Sequence, residues 1–109
     1  MNAEIKAQWI AALRSGEYQQ GQGRLRSIAH IALPVYCATG VLCDLAAAEG
    51  IGKWEGEGFA SKSGFNVAIL PPAVRKWADV PYGISREIGL HNDNGMPFPE
   101  IADLIEERL

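Results

Sequence analysis

Ala11-Ala12-Leu13-Arg14-Ser15-Gly16-Glu17-Tyr18-Gln19-Gln20-Gly21-Gln22-Gly23-Arg24-Leu25-Arg26 breaks one kind of structure and starts another. Before it, Ile5, Trp9, Ile10 and Leu13 recur at helical spacing. Residues 3–15 therefore read as an amphipathic helix, with Asn2 as N-cap and Gly16 as its stop. Residues 17–24 are irregular and glycine-rich. Residues 25–35 are apolar and β-branched, and Pro34 limits them to a short or edge strand. Tyr36-Cys37-Ala38-Thr39-Gly40-Val41-Leu42-Cys43-Asp44-Leu45 then leads into a second helix over 39–49, opened by Thr39 and closed by Gly50.

After Gly52 the apolar period shortens toward two. Lys53–Ala60 and Phe65–Leu70, joined by Ser61-Lys62-Ser63-Gly64, read as a β-hairpin. Pro72 suits the first turn of a short helix through Trp77. Residues 85–90 fit a short helix or a strand equally, because Ile84, Ile88 and Leu90 satisfy both periods. Asn92-Asp93-Asn94-Gly95 signals a turn. Pro99 starts a last helix with Ile101, Leu104, Ile105 and Leu109 on one face. The expected fold is a single α+β domain, three to four helices around a small antiparallel sheet.

The chain has 109 residues and a net charge of -3, a length that suits one domain. An acidic balance argues against nucleic-acid binding through overall charge. The longest apolar run is broken by His30, Pro34 and Gly40, so no membrane span is expected. Residues 1–14 lack the apolar core of a signal peptide, and two cysteines without such a signal fit a reducing cytoplasm.

The strongest candidate site is the loop Gln20-Gly21-Gln22-Gly23-Arg24 with Arg26. Closely spaced glycines turn successive amides toward one point and form an anion nest. Arg24 and Arg26 would add bidentate bonds to a phosphate. Tyr18 or Trp54 would stack on a base, and Arg14, His91 and Asp93 join the candidate ligand-binding set. The competing reading is a tight reversal and nothing more. No Gly-Lys-Ser/Thr follows, so the loop is not a Walker nucleotide loop.

Other constellations are weaker. Cys37 and Cys43 with His30 and His91 supply ligand types for zinc, but the cysteine spacing matches no common knuckle and buried thiols explain them better. Aligning Gly95 with the glycine of a calcium loop puts Leu90 and Ile101 at ligand positions, which excludes calcium. Neither a metal nor a cofactor is expected. Phe98–Ile105 looks like the opening helix of a helix-turn-helix, yet Asp103, Glu106 and Glu107 would repel phosphates, so no direct DNA reading is expected. Trp9 and Trp77 read as core. Glu55 and Glu57 would share one solvated strand face.

The segments Ala12–Gly16, Tyr18–Leu25, Cys37–Leu45 and Asn92–Ala102 resemble those of small proteins from tailed phages and prophages. That family often has Cys-Cys-Leu-Gly where this chain has Cys37-Ala38-Thr39-Gly40. The resemblance implies a viral origin and an accessory role, such as antagonism of host defence, and carries over no catalytic residue. On that basis the expected activity is non-catalytic sequestration of a nucleotide-derived small molecule by a homo-oligomer. The alternative is a protein inhibitor of a host defence effector, docking through an apolar or acidic face. A small nucleotide hydrolase using Asp93 or His91 is the remaining class.

Overall fold

The computed structural model describes residues 1–28 and 33–109. In chain order the elements are α1 (Ala3–Arg14), β1 (Gln19–Gln20), β2 (Arg26–Ser27), β3 (Val35–Tyr36), α2 (Ala38–Ala48), β4 (Gly52–Glu55), β5 (Gly58–Ser61), β6 (Gly64–Asn66), α3 (Pro72–Ala78), α4 (Tyr82–Asp93) and α5 (Phe98–Arg108). The fold is α+β. It holds five helices and two three-stranded sheets among the described residues, more than the three to four helices and single sheet expected.

α1 begins as its sequence requires, with the Asn2 side chain accepting from the Ile5 N–H at 2.9 Å. It buries Ile5, Trp9 and Leu13 and packs along α5, whose Phe98, Ile101, Ala102 and Ile105 face inward. The fully buried Trp9 donates its indole N–H to the Ala38 carbonyl at 2.9 Å, tying α1 to the start of α2. α2 is the central helix, buried from Ala38 through Cys43 and again at Ala46. Its N-cap is Cys37 and not Thr39: the Cys37 Sγ accepts from the Gly40 N–H at 3.3 Å. No helix among the described residues is long and apolar enough to cross a membrane.

The first sheet has the order β1-β3-β2, with β1 parallel and β2 antiparallel to β3. β1 falls inside the segment expected to be irregular. The apolar stretch 25–35 becomes two short strands, and residues 29–32 of it lie outside the described residues. The second sheet is an antiparallel meander in which Glu55 pairs with Gly58 and Ser61 with Gly64. Lys53–Ala60 is therefore not one strand. Gly56 adopts φ +63° and folds the segment into a two-residue hairpin turn. Glu57 consequently sits in that turn and not on a strand face with Glu55. Residues 67–70 leave the sheet after Asn66.

The ambiguous stretch 85–90 is helical throughout and belongs to α4. Ile84 and Ile88 stand four apart on one helix face, with Ile88 fully buried, while Leu90 points away from them and is 54 % exposed. Asn92 and Asp93 are the last two residues of α4, and Gly95 at φ +94° reverses the chain before Pro97 and Phe98 open α5.

Candidate functional site

The glycine loop is held from behind by two amide side chains. Gln20 donates from Nε2 to Asn92 Oδ1 and to the Met96 carbonyl, both at 2.8 Å, and its Oε1 accepts from the Phe98 N–H at 3.0 Å. The fully buried Asn92 also accepts from the Ala38 N–H at 3.1 Å and donates to the Gly21 carbonyl at 2.8 Å. Phe98 and Ala38 are the first residues of α5 and α2, whose opening N–H groups have no partner within their own helices. Gln20 and Asn92 thus cap two helix starts and fix the loop between them.

Three of the loop's amides are bound in the same way. The Gly21 N–H donates to the Tyr36 carbonyl at 2.8 Å, the Gly23 N–H to Asp93 Oδ1 at 2.9 Å, and the Leu25 N–H to the Val67 carbonyl at 2.7 Å. Amides at 21, 23 and 25 therefore point to three separate acceptors within the fold and not toward one point. Asp93 meets this loop as a structural acceptor. Gln22 and Gly23 are exposed at its tip.

The cations are likewise engaged. Arg24 Nε lies 3.5 Å from Glu57 Oε1. The Glu57 carboxylate also accepts from the Ile28 N–H and the Ser27 hydroxyl, both at 3.1 Å, and these bonds hold it below the usual range. Arg26 donates through Nε and Nη2 to the Gly56 carbonyl, at 3.1 and 2.6 Å, and lies 4.6 Å above the Trp54 ring. Arg14 lies apart from the loop, paired to Asp103 at 2.6 Å and Glu106 at 2.7 Å on α5. His91 has Glu87 as its nearest carboxylate, 3.9 Å away on the same helix.

Tyr18 and Trp54 meet on one carboxylate that the sequence reading had not singled out. Asp44 accepts the Tyr18 hydroxyl at 2.6 Å and the Trp54 indole N–H at 2.9 Å. The rings of Tyr18, Tyr36, Trp54 and Phe59 form an edge-to-face series with centroids 5.0, 5.9 and 5.1 Å apart. Burial, then the bond to Asp44, pushes the Tyr18 phenol far above its ordinary range. This cluster pins the first sheet to the second and leaves one face of Trp54 covered by Arg26. Both thiols are buried, and burial raises both; Cys37 additionally shares a 3.2 Å hydrogen bond with the Thr39 hydroxyl. No cluster of three metal-binding side chains occurs among the described residues, and the His30 of the zinc reading lies outside them.

Several large apolar side chains remain at the surface. Phe65 is 56 % exposed, Val67 37 % and Ile69 52 %. Ile69 and Leu70 form one wall of a groove of about 290 Å³ whose other wall is α4, through Ser85, Arg86 and Leu90. Tyr82, 52 % exposed, extends the same face of α4 and accepts from Arg86 Nη1 at 3.2 Å. Phe65–Leu70, the expected second hairpin strand, is a strand only through Asn66. The signal for the groove's far wall was Leu90, which stands off the Ile84–Ile88 stripe once the segment is helical.

A family model described as a domain of unknown function, DUF8296, matches residues 1–109, and the chain belongs to that family. No curated protein and no solved structure matches it.

Proposed function

We propose that this DUF8296 domain acts by binding another protein, with Phe65, Val67, Ile69 and Leu90 as the contact face. The observation that carries the reading is four large apolar side chains left at the surface, two of which, Ile69 and Leu90, face each other across a groove. Exposed apolar side chains lining a groove, as Ile69 and Leu90 do, mark interaction sites. Phe65 and the adjoining Tyr82 are of the types that anchor interfaces. The acidic face of α5 has weaker support, because Asp103 and Glu106 are already paired with Arg14. The resemblance to phage accessory proteins points to a host defence effector as the partner.

A photo-crosslinking side chain at position 90 tests this in host cells. One host protein captured at equal stoichiometry, and lost in Ile69→Glu, is expected. Light scattering on the purified chain supplies the counter-test. A dimer that Ile69→Glu dissociates would mean that a second copy covers the face, and would overturn the hetero-partner reading.

A further inference from the structure

A second concavity lies away from every residue weighed so far as a ligand contact. It has a volume of about 590 Å³, within the range of small-molecule sites. The β5–β6 turn supplies Lys62 and Ser63, the junction after α2 supplies Ile51, and α3 supplies Pro72, Lys76 and Trp77. The rim is tied together: the Ala73 N–H donates to Ser63 Oγ at 3.1 Å, and Ser63 shares a 3.0 Å hydrogen bond with Ser61. No carboxylate lines the cavity. Among the described residues, neither Lys62 nor Lys76 has a carboxylate within 4.0 Å.

We propose that this cavity binds an aromatic anion of the nucleoside phosphate class. Two unneutralised ammonium groups beside one cavity concentrate positive potential on a chain whose net charge is -3. Such a pair attracts a multiply charged group, which a phosphate chain supplies and a single carboxylate does not. Trp77, only partly buried, offers an indole to a planar base, with Ile51 and Pro72 as apolar walls. Ser63 adds a hydroxyl at the rim. The cavity shares no lining residue with the groove beside α4, so this site stands independently of the protein-binding face.

The probes are ADP, inorganic pyrophosphate and adenosine, titrated into the full chain by calorimetry with tryptophan fluorescence alongside. ADP should bind more tightly than either fragment, because only it uses both the cations and the indole. The double variant Lys62→Gln/Lys76→Gln should weaken ADP by about tenfold or more. Trp77→Phe should remove the fluorescence response while thermal melting checks that it folds. Arg24→Gln/Arg26→Gln should leave ADP affinity unchanged. The proposal is overturned if ADP gives no heat at millimolar concentration, if pyrophosphate matches ADP, or if the arginine pair and not the lysine pair controls affinity.

Discussion

A Cβ built on Gly40 would sit 1.8 Å from the Leu25 carbonyl oxygen. The central helix therefore touches the main chain of the loop that follows β1, and only hydrogen at that position permits the contact. The carbonyl cannot retreat freely, because it also accepts from the Cys37 N–H at 3.3 Å.

Gly40→Ala should destabilise the domain by about 3 kcal/mol or more, the range of forced overpacking against a fixed backbone. Gly89→Ala in α4 is the matched control, since nothing lies within 4 Å of its added Cβ. It should stabilise by about 0.5–1 kcal/mol through helix propensity. Chemical denaturation of both variants reads the contrast; equal midpoints would refute the close approach.

Asn92 and Gln20 should behave as a coupled pair. Asn92→Leu leaves the Ala38 N–H and the Gly21 carbonyl without partners and should cost about 3 kcal/mol. A double-mutant cycle with Gln20→Ala should show about 1–2 kcal/mol of coupling, because each side chain orients the other. Additive losses would mean that the two amides cap their helices separately.

Alkaline stability should depend on Tyr18. Its folded pKa is raised by burial and then by Asp44, so the folded state resists ionisation. An unfolded tyrosine ionises near pH ~10. The stabilisation is thus complete below about pH 10 and declines as pH rises beyond it, because only the unfolded chain gains by releasing the proton. Denaturation midpoints between pH 9 and 11.5 should fall less in Tyr18→Phe than in the parent. Parallel curves would show that the phenol titrates normally.

The thiols should be inert in the folded protein. Burial raises both Cys37 and Cys43, leaving little thiolate at neutral pH. A thiol-reactive dye should label neither in buffer and both in denaturant. Rapid labelling of native protein would show that at least one thiol is accessible and reactive.

Periodicity made several elements legible. The Ile5–Trp9–Leu13 stripe, the alanine-rich run after Thr39 and the Ile101–Ile105 pair each specify a helix, because one apolar face must be hidden whatever it packs against. The turn at Lys62-Ser63 and the reversal at Gly95 were equally visible. The meander was not: in a segment that otherwise alternates like a strand, Gly56 and Gly58 do not by themselves say that the chain doubles back between them.

What the groups of the candidate loop would face was not legible in the sequence, for a physical reason. Residue types announce what a loop can offer, and glycines with arginines offer amides and charge. Whether those groups face solvent depends on partners distant in sequence: Asn92 and Asp93 across 71 and 70 positions, and Gly56 across 30. Local pattern thus settled α1, α2, α3, α5 and the α+β class, but not α4, since burial of an apolar face is a short-range property. Folding in three dimensions assigned the polar loop to internal bonding and left the apolar strip and the lysine-flanked cavity open, since hydrogen-bond satisfaction is a property of the whole packed chain.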